Sequence, residues 1–237
     1  MCGVVALDGP SGTGKTTAAR RLATELGAGY LDTGAMYRVA TLAVLRAGVG
    51  LDDAAAIVEL VSRIDIGVGT DPKEPRAGLD GMDVSEEIRA EEVNQAVSAV
   101  SAVPEVREML VTEQRRIIRK ALDEDGGIVV DGRDIGTVVV PDARLKVFLT
   151  ASADVRARRR SAQDAAAGRS SSPEEAKASV ERRDHLDSTR ASSPLRAADD
   201  AVLLDTSDLA IDEVTAKLTE LADDRGLLCN EVAGTRR

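Results

Sequence analysis

Eight residues close to the amino terminus, Gly9-Pro10-Ser11-Gly12-Thr13-Gly14-Lys15-Thr16, leave this chain little freedom of fold. They match the pattern G-x-x-x-x-G-K-[ST] at every position. A short β-branched run, residues 4–7, precedes them, and a helical pattern with Ala18, Leu22, Ala23 and Leu26 on one face comes after. Glycines let such a loop curl until successive backbone N–H groups point inward, and the helix behind it adds its positive end. A triphosphate fits that cradle. Gly9, Pro10, Ser11, Gly12, Thr13, Gly14, Lys15, Thr16 and Thr17 are therefore candidate triphosphate-binding residues. Lys15 would offer a point charge to the terminal phosphates, and the Thr16 hydroxyl a ligand to Mg2+.

The rest of the chain continues the strand–loop–helix rhythm. A strand at 29–31 leads through Asp32-Thr33-Gly34 into a helix ending near Leu45, and Asp52 or Asp53 caps another that carries Ile57, Leu60, Val61 and Ile64. Residues 64–87 read differently. Ile64-Asp65-Ile66-Gly67-Val68 alternates, and Pro72, Pro75, Gly78 and Gly81 punctuate the stretch beyond Val68, so a small antiparallel insert is expected. Pro104 opens a long helix to about Leu122. Strands are expected at 128–130, 145–149 and 201–204. Ser172-Pro173-Glu174-Glu175 forms a capping box for a helix to about His185, and a last helix covers 211–221. Short apolar strands alternating with helices imply an α/β chain: a three-layer fold with a parallel five-stranded sheet and helices on both faces. Ligands of such sheets bind beyond the carboxyl ends of the strands. The Asp/Gly/Arg/Thr clusters of this chain all come directly after strands.

Composition narrows the function. With 41 acidic and 31 basic residues the net charge is −10, the wrong sign for a protein that coats nucleic acid. Tyr30, Tyr37 and Phe148 are the aromatic residues, too few for a base-stacking platform. Arginines nevertheless cluster at Arg156, Arg158, Arg159 and Arg160 and at Arg182, Arg183 and Arg190, which suits a small phosphate ester on an acidic body. Cys2 and Cys229 offer neither metal-ligand spacing nor a disulfide framework. No apolar run is long enough to span a bilayer, and no secretory signal is read. A cytoplasmic monomer that binds neither nucleic acid nor membrane is expected.

A phosphate loop alone serves many reactions. The Asn-Lys-x-Asp base-reading motif of GTPase switches is missing, and residues 128–131 only approximate the apolar-to-Asp signature of motor ATPases. A short chain with an N-terminal phosphate loop and late arginines suits a small kinase with a closing lid. Three segments then carry a resemblance to bacterial cytidylate kinases: Leu31-Asp-Thr-Gly-Ala-Met-Tyr-Arg38, Asp131-Gly-Arg-Asp-Ile-Gly-Thr-Val-Val-Val-Pro-Asp-Ala143, and Arg183-Asp-His-Leu-Asp-Ser-Thr-Arg190 with Ser193-Pro194-Leu195. Gly81-Met-Asp-Val-Ser-Glu-Glu-Ile-Arg89 is similar to the end of that family's insert, and the likeness runs from about Val4 to Leu221.

The resemblance implies a reaction and a site. ATP with Mg2+ would phosphorylate CMP or dCMP, the two small-molecule partners. Arg38 and Arg133 would hold the monophosphate, Ser98, Arg107 and Asp134 read the cytosine edge, Asp187 and Arg183 contact the sugar, and Arg190 the phosphates. Ser11, Thr33 and Tyr37 would lie by the acceptor, and Arg158 by ATP; Lys15, Arg133, Arg183 and Arg190 would act in transfer. One domain is implied, with a core of about 1–34, 104–155 and 190–225, a monophosphate-binding region with the insert at 35–103, and a lid at 156–189. The insert would cover the monophosphate site as a second moving part. Asp8 stands near enough to the loop to serve as an outer partner of Mg2+. His185, the lone histidine, reads as a solvated residue rather than a base. Two rivals stay open on the residues alone: a kinase of a small hydroxylated metabolite, and a nucleotide-binding protein without transfer activity. The residues also leave CMP and UMP unseparated.

Overall fold

In a computed structural model, residues 1–166, 168 and 172–228 are described; Cys229 falls outside them. Five parallel strands, β1 (Gly3–Asp8), β2 (Gly29–Asp32), β6 (Gly127–Asp131), β7 (Leu145–Thr150) and β8 (Val202–Asp205), lie in the order β2-β6-β1-β7-β8. Each strand expected from the apolar runs is present. The register sets Leu7 opposite both Asp131 and Val147, so β1 and β6 end within one residue of each other while β7 runs two residues further.

Period-two alternation divides the core in two. Val4, Ala6, Leu31, Ile128 and Val130 face α2 (Thr33–Arg46), α3 (Ala54–Val61), α4 (Glu91–Ala102) and α5 (Pro104–Asp125). Val5, Leu7, Val129, Leu145, Val147 and Leu149 face α1 (Lys15–Glu25) and α8 (Ile211–Asp224). The layers are aliphatic, as the scarcity of aromatic residues requires. The long helix runs past Leu122 to Asp125, where Gly126 closes it at φ 76°.

The insert is a three-stranded antiparallel sheet of β3 (Ile66–Val68), β4 (Ala77–Leu79) and β5 (Met82–Asp83). Its small core of Ala77, Leu79, Val84 and Ile88 packs on Val39, Leu42 and Ala43 of α2. It is also tied to the main body. The Tyr30 N–H donates to Thr70 O at 2.8 Å, and Arg20 Nε to Pro72 O at 2.9 Å. The insert thus lies against the β2 edge of the sheet.

Two antiparallel-packed helices, α6 (Ala153–Ala166) and α7 (Pro173–Thr189), make up the arginine-rich segment. The capping box at Ser172 and Glu175 forms as its sequence requires, and the helix continues four residues beyond His185. Among the described residues no helix is long and apolar enough to cross a membrane.

Candidate active site

The phosphate loop comes directly after the central strand β1. Gly9 holds φ 142°, and a Cβ there would fall 2.1 Å from Leu149 O, so no side chain is possible. Gly14 caps α1 in a left-handed conformation with no side-chain hydrogen bond, and the first turn of α1 has no acidic residue. The free amides at that end face an anion site without a competing carboxylate. Lys15 bends back to donate to Pro10 O at 2.7 Å. Burial and the nearby Arg133 guanidinium push its ammonium well below the ordinary lysine value.

A cleft of about 510 Å³ opens beyond the strand ends. Along its walls lie Ser11, Gly12, Gly14, Lys15, Thr16 and Thr17 from the loop, and Thr33, Tyr37, Arg38, Ser98, Arg107, Arg133, Asp134, Arg183, Asp187 and Arg190 from five other segments. Sixteen of the twenty expected site residues therefore meet in one space. Gly9, Pro10 and Thr13 shape the loop from behind. Arg158 is exposed on α6 and off the cleft wall, so the structure does not bring it to the expected triphosphate position. Its neighbours do the work on the loop. Arg156 Nη1 donates to Ser11 O at 3.3 Å, and Arg159 Nη1 to Thr13 O at 3.2 Å.

At the acceptor end charge is dense. Arg107, 3% exposed, pairs with buried Asp134, and its guanidinium lies 5.2 Å over the Tyr37 ring. Arg133 Nε donates to Asp187 Oδ2 at 3.0 Å. Arg190 stands 4.0 Å from both Asp134 and Asp187. Arg38 Nη1 donates to Asn94 Oδ1 at 2.6 Å. Burial and the cluster of like charges push Arg183 down to about 9 and Arg38 to about 10. Burial would raise Asp187, but Arg133, Arg183 and Arg190 together hold it below the usual carboxylate range. The Arg183 Nε and Arg190 Nη2 atoms are sheltered and have no hydrogen-bond partner among the described residues. Sheltered guanidinium donors without a hydrogen-bond partner suit an anion such as a phosphate.

Two functional candidates, Asp131 and Asp184, had no role assigned to them from the sequence. Asp131 accepts from Thr16 Oγ1 at 2.8 Å and from Tyr30 Oη at 3.1 Å, and burial with the Asp32 charge pushes it up to about 7. Its place at the end of an apolar run was the signal for it. Thr33 donates its hydroxyl to Asp131 O at 2.8 Å. Asp184 accepts the Ser11 N–H at 3.4 Å and pairs with Arg156, which joins α7 to the phosphate loop. Asp8 is off the cleft wall, and each of its oxygens accepts a backbone amide. His185 is exposed and outside the cleft wall.

A family model described as cytidylate kinase matches residues 5–224. The cytidylate kinases of Rhodococcus opacus (strain B4) and Nocardia farcinica (strain IFM 10152) are 58% and 60% identical, covering 94% and 92% of this chain and 95% and 92% of theirs. That of Mycobacterium leprae (strain Br4923) is 56% identical over 94% of this chain and 96% of its own. A solved structure of an uncharacterized protein from Eubacterium ventriosum ATCC 27560 shares the fold, with TM-score 0.52 at 11% identity over 94% of this chain and 99% of the other. Matched in this way over nearly its whole length, with the phosphate loop and the arginine-lined cleft in one space, the chain belongs to the cytidylate kinase family.

Proposed function

We propose that the chain transfers the γ-phosphoryl group of ATP to the phosphate of CMP or dCMP, giving CDP or dCDP. The observation that carries this reading is the acceptor end of the cleft: unpaired arginine atoms for a phosphate beside a buried Arg107–Asp134 pair for a base. Arg38, Arg133, Arg183 and Arg190 would hold the monophosphate, with Arg133 oriented by Asp187. The Asp134 carboxylate would accept from the cytosine amino group, and Arg107 would donate to the ring acceptors. Uracil presents a carbonyl where cytosine has that amino group, so the same carboxylate would repel it. Ser98, Thr33 and Tyr37 would complete the acceptor wall, and Ser11 the junction of the two sites.

Thr16 and Asp131 would hold Mg2+, a hydroxyl and a carboxylate already 2.8 Å apart at the mouth of the loop. Such a donor pair suits an ion that takes most of its shell from phosphates and water. The ion would neutralise charge on the triphosphate. Lys15 would swing from Pro10 O to the phosphates, and the arginines would align the acceptor oxygen in line with the group transferred. That oxygen is already ionised near neutral pH, so no base is needed, in keeping with the exposed position of His185. Residues 156–189 would be the lid, 35–103 the acceptor region and 1–34, 104–155 and 190–225 the core.

ADP release from MgATP with CMP, dCMP, UMP, AMP, GMP or no acceptor tests the reading. Fast release with CMP and dCMP alone is the expected result. Release that ignores the acceptor would remove it and leave a phosphate loop with another task.

A further inference from the structure

Asp8 ends β1, one residue before the phosphate loop, and is 5% exposed. Its Oδ1 accepts the Ile135 N–H and its Oδ2 the Gly136 N–H, each at 2.8 Å. These amides open a single turn of π-helix, Ile135–Val139, and such amides have no partner inside their own turn. Asp134 belongs to the same turn, since its carbonyl accepts from Val138 at 2.8 Å and Val139 at 3.2 Å. Arg133 directly precedes it. The turn is seated tightly: a Cβ at Gly136 would fall 3.1 Å from Lys146 Cδ and 3.4 Å from Asp8 Oδ2. A β-branched run such as Ile135-Gly-Thr-Val-Val would otherwise favour extension. A buried carboxylate that accepts two amides holds it in the helical state instead.

We propose that Asp8 is a positioning residue for the acceptor: it clamps the turn that aims Arg133 and Asp134, and so ties the acceptor site to the strand carrying the donor loop. The inference rests on Asp134 as an acceptor-binding residue. Asp8 itself touches no ligand, because both its oxygens are committed and it lies off the cleft wall.

Asp8→Asn keeps the shape but sets an N–H donor against one of the two amide donors. Steady-state kinetics should show KM for CMP raised roughly tenfold and KM for ATP close to that of the parent, with a melting temperature lower by several degrees. Gly136→Ala perturbs the same contact from the other side without altering Asp8, and should also raise KM for CMP selectively. Asp134→Asn, run alongside, separates the two ideas. If it leaves CMP kinetics unchanged, the acceptor reading fails first. If it weakens CMP while Asp8→Asn leaves KM for CMP unchanged, or raises KM for ATP equally, the positioning role is overturned. Should Asp8→Asn not fold, an unchanged KM for CMP in Gly136→Ala overturns it as well.

Discussion

The Arg107–Asp134 pair shows how one contact can serve stability and selection together. Both side chains are almost wholly buried, so neither charge is tolerable without the other. Asp134→Asn removes the acceptor for the cytosine amino group and leaves Arg107 uncompensated. It should lower kcat/KM for CMP by about a hundredfold, the cost of one partner of a buried charge pair. Turnover of UMP should fall less, because an amide can also donate to the uracil carbonyl. Equal losses for both acceptors would show that Asp134 does not read the base. Asp8 gives a second prediction. Burial raises its carboxyl from 3.8 to about 6. Its two amide bonds and Lys15 oppose that rise, and Asp134 adds to it. The unfolded chain gives up this proton near the ordinary value while the folded chain keeps it, so the folded state binds more protons in between. The contribution of Asp8 to stability is thus greatest below pH 4, declines as pH rises to about 6 and is flat above. The decline is at most about 3 kcal/mol. Urea unfolding of the nucleotide-free protein and of Asp8→Asn should therefore show their stability difference shifting against the parent between pH 4 and 6. A difference independent of pH would mean that Asp8 does not titrate there.

Elements of regular period were readable in the sequence, and those fixed by distant partners were not. Val4, Val5, Ala6 and Leu7 announce a buried strand, and Gly12, Gly14 and Lys15 a phosphate loop, because the signal lies within the segment itself. The turn at Ile135–Val139 has no such signal. Its residues favour extension, and Asp8, 127 positions away, decides the outcome. Helix phase was lost in the same way. Arg156, Arg158, Arg159 and Arg160 put positive charge on several faces of α6, so no periodicity tells which will meet the loop. Asp184 of α7 turns Arg156 inward, Thr13 and Thr206 hold Arg159, and Arg158 is left in solvent. Helices α6 and α7 are held to the loop by Arg156, by Asp184 with the Ser11 N–H and by Arg159 with Thr13 O, and to α4 by Arg160 with Glu91 at 3.5 Å. Arg156→Ala removes one of the links to the loop and leaves the others and the α4 contact in place. KM for ATP should rise roughly tenfold, as for a lost hydrogen-bonded charge, and KM for CMP should change little. An unchanged KM for ATP would mean that Arg156 does not support the triphosphate loop.

Across the whole molecule, charge is sorted rather than balanced. The chain carries a net −10, yet nine cationic and four acidic side chains line the cleft. Without a ligand that concentration works against the folded state: Lys15, Arg38, Arg183 and Arg190 are all held below their ordinary values, with burial the largest cause each time. An acidic exterior keeps the molecule soluble, while the cleft draws phosphate esters past it. Anionic substrates should thus stabilise the fold beyond their role in the reaction. At a hundred times its dissociation constant a ligand contributes about 2.7 kcal/mol, and a chain of this size melts roughly 2–4 °C higher for each kcal/mol. CMP at that excess should raise the melting temperature by about 5–10 °C, and MgATP likewise. Cytidine, which has the base without the phosphate, should raise it far less. Added salt should shrink the CMP shift, since screened phosphate charge is what the arginines gain. A cytidine shift equal to that of CMP would mean that the base alone holds the acceptor, and the converging arginines would need another explanation.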